Sequence, residues 1–287
     1  MSFNLQENVN LSPFCSMKTG GNAKYFVLPE SDIELSEAVS YFREKGEKYI
    51  VVGNCSNLLF PDEGFDGGVI VTSAMRKIEE SDGVITAECG VTLSTLARVA
   101  CEASGTGLEF CYGIPGTVGG GVYMNAGAYG GELSQCFISG LFLDENGEMI
   151  EIECKDMEFG YRTSVMNRKE LVLVSAKFKT ESGDKQAIRA RMDELMTKRK
   201  TGQPLEYPSC GSAFKRPVGY YAGALIEQCG LKGKTIGGAQ VSQKHAGFII
   251  NVGGASSTDV TDLLSFVSET VFNETGVRLE PEIRVIK

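Results

Sequence analysis

Short apolar runs alternate along this chain with amphipathic stretches, and their spacing predicts a mixture of strands and helices. Tyr25-Phe-Val-Leu28 is a compact apolar run after a Gly-Gly turn and predicts a strand. Ser31 and Glu34 have the spacing of a capping box, and Ile33, Leu35, Ala38, Val39 and Phe42 follow at close to helical period until Gly46. Tyr49 to Val52 predicts a buried strand, and Val69 to Thr72 and Gly83 to Cys89 predict two more. A helix over 92–104 carries Leu93, Leu96, Ala97 and Ala100 on one face. Gly140 to Asp144 and Glu148 to Ile152 flank Asn146-Gly147, which predicts a hairpin, and Leu171 to Lys179 predicts a further strand. Asp184 to Lys200 reads as a charged helix, and Gln203 to Ser209, with Pro204 and Pro208, as a linker. Beyond it lie a short helix from Ala222 to Cys229 and a strand from Gly247 to Asn251. A helix then starts at Ser257, with Val260, Leu263, Leu264, Val267 and Val271 on its buried face. Strands and helices mix without a regular βαβ alternation or an internal repeat, so the predicted class is α+β.

Composition narrows the function. A chain of 287 residues is long enough for two or three domains with a sizeable core. Its net charge of −9 provides no general footprint for nucleic acid and would repel an anionic membrane surface. No apolar run approaches the roughly 20 residues that span a bilayer. The N-terminal MSFNLQENVN lacks a basic region followed by an apolar core. The expectation is a soluble, cytoplasmic protein whose partners are small molecules, with neither nucleic acid nor membrane among them. Nine cysteines form no C-x-x-C pair, and His245 is the single histidine. That pattern predicts free, mostly buried thiols, a structural histidine and no metal site.

Two stretches carry the chemistry. Gly113 to Glu132 reads GIPGTVGGGVYMNAGAYGGE, with Pro115 stiffening its start and Asn125 placing an amide among apolar neighbours. Glycine tolerates positive φ and holds no ligand away from the main chain, so such a stretch suits an anion or a flat ring. Gly53-Asn-Cys-Ser-Asn-Leu58 follows a predicted strand and offers N–H groups, a hydroxyl and two amides, the ingredients of an anion nest. It has neither the G-x-G-x-x-G of a Rossmann unit nor a Walker loop. Together the two stretches read as halves of a dinucleotide site. Lys198-Arg-Lys200 either complements the dipole at the end of its helix or meets phosphates, and both readings stay open.

Five segments occur in a recognisable order: VGNCSNLL, the 113–132 stretch, FGYRTS, CGSAFKRP and LEPEIRVI. Together they closely resemble the MurB family of UDP-N-acetylenolpyruvoylglucosamine reductases, from about Lys18 to Ile286. The first two are shared with the wider vanillyl-alcohol-oxidase (PCMH-type) FAD-binding fold, and the last three are specific to the reductases. The resemblance implies a two-subdomain FAD-binding domain over 18–181, split near 74, followed by a substrate-binding domain over 203–287. It implies noncovalent FAD and NADPH as hydride donor. The implied reaction reduces the enolpyruvyl ether of a UDP-linked sugar to a lactyl ether, giving UDP-N-acetylmuramate for peptidoglycan synthesis. The implied cofactor contacts are Gly53, Asn54, Cys55, Ser56, Asn57 and Leu58 in the first stretch. In the second they are Gly113, Pro115, Gly116, Thr117, Gly119, Gly120, Asn125, Ala126 and Gly127.

The same resemblance assigns catalytic roles. Arg162 matches the arginine that stabilises the developing anion, a task suited to a permanently charged fork. Ser212 matches the proton donor. Glu282 matches the catalytic carboxylate, with Glu280 two residues away as the alternative. Tyr161, Lys200, Lys215 and Arg216 are the implied substrate contacts, although many relatives carry asparagine where Arg216 stands. The short interval from Arg162 to Ser212 resembles the subtype without an inserted tyrosine loop, and a monomer is expected. An oxidase on the same flavin fold would have no need of Arg162, Ser212 and Glu282 in these contexts. A flavin-storing module would bind FAD without reacting with NADPH.

Overall fold

The computed structural model describes residues 1–287, and the chain forms two compact units from interleaved segments. The first takes Met1–Gln6, Tyr25–Asn54 and Gly67–Arg199; the second takes Glu7–Lys24, Cys55–Asp66 and Lys200–Lys287. In chain order come β1 (Leu5–Asn10), β2 (Asn22–Val27), α1 (Asp32–Lys45), β3 (Tyr49–Val52), β4 (Leu58–Leu59) and β5 (Phe65–Val71). Strands β1, β2, β5 and β3 are hydrogen-bonded in that order, with β3 and β5 parallel. Helix α1 starts where its cap predicts: the Glu34 N–H donates to Ser31 Oγ at 3.3 Å. It ends at Gly46, which takes φ 65°.

Two details of α1 depart from the sequence reading. The Glu34 carboxylate accepts the N–H of Glu30 rather than that of Ser31, so the capping box is half made. Ile33 is 63% exposed, because it lies about half a turn from the stripe of Leu35, Ala38, Val39 and Phe42 that α1 buries.

The chain continues through β6 (Ile78–Ser81), β7 (Val84–Glu88), α2 (Leu93–Glu102), β8 (Gly105–Thr106) and α3 (Val118–Tyr123). Then come β9 (Gly127–Ala128), β10 (Gly131–Glu132), β11 (Phe137–Leu143), β12 (Met149–Glu153), β13 (Val172–Lys179), β14 (Glu181–Ser182) and α4 (Lys185–Gly202). A five-stranded antiparallel sheet has the order β12-β11-β13-β7-β6. The predicted hairpin joins β11 to β12, and the Asp144 carboxylate closes its turn by accepting the N–H groups of Asn146 and Glu148, both at 2.8 Å. Phe137, Phe142 and Phe178 of this sheet share a core with Leu96, Val118 and Met192.

The second unit adds β15 (Ser209–Ser212), α5 (Ala222–Gln228), β16 (Thr235–Ile236), β17 (Ala239–Val241), β18 (Phe248–Asn251), α6 (Ser257–Thr275) and β19 (Arg284–Val285). An antiparallel sheet of order β15-β18-β17-β16 packs on α6, which buries the apolar positions read from its periodicity. Asp62 caps the start of α6 by accepting the N–H groups of Ser257 and Thr258. The short β4 pairs in parallel with β19, so the turn after β3 is met by the end of the chain. Every cysteine is free and most are buried, as expected. No group of side chains has the makings of a metal site, and no helix is long and apolar enough to cross a membrane.

Candidate active site

The two glycine-bearing stretches meet within the first unit. A Cβ on Gly53 would lie 2.1 Å from Thr117 Oγ1, so only glycine permits this approach. Beside it, Asn54 Nδ2 donates to the Pro115 carbonyl at 3.0 Å. Thr117 also caps α3, accepting the Gly120 N–H at 3.4 Å. The Val118 and Gly119 N–H groups donate to the carbonyls of Val91 and Cys89, both at 2.8 Å, and Gly121 N–H donates to Thr117 O at 2.7 Å. Those donors seat α3 on the strand end before it, Gly119 lies close against Cys89, and Gly120 is exposed.

Asn125 is tied into the protein by its amide. It is buried at φ 42°, and both ends of its amide are engaged. Nδ2 donates to Gly160 O at 3.1 Å, and Oδ1 accepts the Ser134 N–H at 3.0 Å. The amide thus braces the turn that displays Tyr161 and Arg162. That turn is closed by reciprocal bonds between Gly160 and Thr163, with Arg162 at φ 56°. Ser164 Oγ anchors it further on Tyr123 O at 2.9 Å. From this mount the Arg162 guanidinium reaches Gly127 O at 3.2 Å and lies over the exposed Tyr161 ring at 5.1 Å. An arginine predicted to act on substrate is therefore fixed to the glycine-rich stretch itself.

The second unit gathers the other two catalytic candidates. β15 pairs with β18, Ser212 standing opposite Phe248, and a register shift follows Ser209. Past β15, the chain is flanked on its other side by the C-terminal segment. Glu282 N–H donates to Ala213 O at 2.8 Å, Phe214 bridges Pro281, and Lys215 N–H donates to Glu280 O at 2.9 Å. Ser212 and Glu282 are thus near neighbours across one pairing. The turn carrying Ser56 is clamped to the same place: Asn57 Nδ2 donates to Glu282 O at 3.0 Å, and Arg284 N–H donates to Asn57 O at 3.0 Å. Cys55 is buried, and Leu58 is half-buried in β4. Between the two glutamates the surroundings differ sharply. Glu280 is exposed and pairs with Lys215 at 3.2 Å, whereas Glu282 is half-buried and held through its main chain on both sides.

The cationic run at the end of α4 is divided three ways. Lys198 pairs with Glu194 at 2.6 Å, one turn back on the exposed face. Lys200 is exposed, and its carbonyl accepts Lys244 Nζ at 2.7 Å. Arg199 is only 8% exposed, with its guanidinium 5.8 Å from the Tyr129 ring and its side chain against Gly113. Burial pulls the Arg199 guanidinium below its ordinary value, with Tyr129 acting in the opposite direction. Of the three cations whose roles the sequence left open, this is the one buried at the edge of the glycine-rich stretch. Its signal was present in the sequence: Ile188, Met192, Leu195 and Arg199 share one helical face. Arg216 lies over the Tyr221 ring at 4.1 Å. His245 accepts the Gly247 N–H at Nδ1 and packs edge-on against Phe248, and burial holds its imidazole below the usual value, as a structural histidine requires.

Residues 23–153 match the family model of the FAD binding domain. With it, the fold and the paired glycine-bearing turns define an FAD-binding flavoprotein. Residues 203–286 match the model described as the C-terminal domain of UDP-N-acetylenolpyruvoylglucosamine reductase. A reductase of that name from Pediococcus pentosaceus is 47% identical over 280 residues, covering 98% of this chain and 93% of its own. One from Caldicellulosiruptor bescii is 46% identical over 278 residues, covering 96% and 88%. The crystal structure of the enzyme from Thermus caldophilus superposes with a TM-score of 0.87 at 33% identity, over 99% of this chain and all of that one. The chain belongs to the UDP-N-acetylenolpyruvoylglucosamine reductase family.

Proposed function

We propose that the protein reduces UDP-N-acetylenolpyruvoylglucosamine to UDP-N-acetylmuramate with NADPH, through noncovalently bound FAD, in peptidoglycan precursor synthesis. The observation that carries this reading is the clamp of Asn57 on Glu282, with Glu282 in turn hydrogen-bonded to Ala213, next to Ser212. It joins the proposed hydroxyl and carboxylate to the turn assigned to the cofactor. The group fits the bare main chain at exposed Gly120, where a Cβ would have only Thr117 Oγ1 within reach, at 3.8 Å. Gly53 to Leu58 and Gly113 to Gly127 would hold it, with Arg199 as an additional cation beside Gly113. Bound FAD supplies the hydride relay from NADPH to the terminal alkene carbon of the substrate.

The remaining steps fall to side chains. The Arg162 fork binds the enolpyruvyl carboxylate and stabilises the charge that develops there. Ser212 keeps a hydroxyl proton for delivery to the neighbouring carbon. Glu282 works with Arg162 in polarising the enol, while Glu280 is occupied by Lys215. Tyr161, Lys200, Lys215 and Arg216 contact the substrate. Under the same reading the protein acts as a monomer in the cytoplasm. The test is an absorbance spectrum of the purified protein: a yellow flavin spectrum that NADPH bleaches and the UDP-linked enol ether restores. Oxygen consumption with a simple alcohol would point to an oxidase instead, and a flavin inert to NADPH would point to a storage module.

A further inference from the structure

Within the second unit, the segment from Cys15 to Gly21 runs beside the segment from Cys55 to Pro61, in the same direction and nearly residue for residue. The Cys15 and Cys55 thiols are hydrogen-bonded to each other. Next along, Cys210 bridges the two segments: Sγ donates to Leu58 O at 3.4 Å and is hydrogen-bonded to the Met17 backbone. Further on, a Cβ at Gly20 would meet Phe60 Cβ at 3.1 Å, and Gly21 N–H donates to Pro61 O at 2.9 Å. These rungs fix the register that keeps two thiols in contact. Cys55 takes φ 46°, unusual for a side-chain-bearing residue, at the turn that also carries Ser56 and Asn57.

We propose that Cys15 and Cys55 are a redox-modification site, a thiol pair that a peroxide converts into an intrachain disulfide stapling the N-terminal segment to that turn. The two thiols are unequal. The hydrogen bond between them, with Lys18 nearby and against the cost of burial, holds Cys15 below the ordinary cysteine value. The same bond, with burial, pushes Cys55 up. The cation of Lys18 lies near Cys15, which we assign as the attacking sulfur. Its thiolate displaces one oxygen of the peroxide, giving a sulfenic acid and releasing water or an alcohol. The Cys55 sulfur then attacks the sulfenic sulfur, and the hydroxyl leaves as water with the Cys55 proton. In sum, two thiols lose two electrons and two protons, and the peroxide is reduced. Cys15 is 1% and Cys55 4% exposed, so the first step proceeds through local opening of the N-terminal segment. Cys210, whose thiol is committed to the Leu58 carbonyl, stays out of the link.

Tryptic digestion separates the three thiols, because Cys15, Cys55 and Cys210 fall in peptides 1–18, 49–76 and 201–215. The folded full-length protein is treated with a small excess of hydrogen peroxide, its remaining thiols are alkylated, and the peptides are followed by mass over time. The expected result is a 1–18/49–76 cross-linked peptide, lighter by two hydrogens than its parts, which forms before any other cysteine pair and disappears on reduction with dithiothreitol. If peptides 1–18 and 49–76 keep alkylatable thiols while other cysteines oxidise, the proposal is overturned. It is equally overturned if either peptide links first to 201–215.

Discussion

At the scale of single residues, the account depends on how closely main chains approach. Gly53 stands against Thr117 with no room for a methyl group, and Asn54 reaches Pro115 beside it. Gly53→Ala must therefore push the two glycine-bearing stretches apart, at a cost of about 1–3 kcal/mol. Its expected signature is a lower melting temperature together with loss of bound flavin per chain. Unchanged melting and unchanged flavin content would show that the contact is not close. Arg162 illustrates a second residue-scale lesson. FGYR identifies it by resemblance, but nothing in the sequence says how it is held. The structure supplies the mount: Gly127 O accepts from its guanidinium, and Asn125 braces its turn.

At the scale of elements, what was legible followed local periodicity and what was hidden followed long-range pairing. Helix α6, the hairpin at Asn146-Gly147 and the ends of α1 were readable because each is specified within a few residues. Strand β1 is the polar stretch LQENVN, which has no apolar face to announce it. The pairing of β4 with β19 joins Leu58 to Arg284, and no local pattern encodes such a contact. Arg199 lies between these cases, since its helical phase was readable but its charge suggested an exposed face. The start of α6 also carries a pH prediction. Asp259 accepts the N–H groups of Ser256 and Gly238, and these bonds hold its carboxyl below the usual aspartate value of 3.8. A depressed carboxyl contributes stability above its unfolded value and loses that contribution as pH falls through the folded one. Wild type should therefore melt higher than Asp259→Asn at pH 7, with the difference shrinking towards pH 3. A difference independent of pH would exclude this role.

At the scale of the whole molecule, the second unit is assembled from three separated segments. Its core includes Met17 and Leu59 along with Phe214, Leu263 and Ile283. The C-terminal family match covers only 203–286, and a fragment of residues 203–287 would lack Met17, Leu59 and the β4 partner of β19. Such a fragment is expected to show no cooperative thermal transition by circular dichroism. A sharp transition would mean that the C-terminal segment folds without the two insertions. The interleaving also shapes the candidate site, because it is the segment containing Asn57 that holds Glu282 in place next to the Ser212 strand.

The central claim is that Ser212 gives up a proton to the substrate and takes no part in the reaction with NADPH. Anaerobic stopped-flow absorbance of Ser212→Ala separates the two halves of the cycle. The account predicts that NADPH bleaches the flavin at close to the wild-type rate, while recovery of colour with the UDP-linked enol ether slows by about 10²–10⁴-fold. Equal slowing of both halves, or a wild-type rate of recovery, would contradict it.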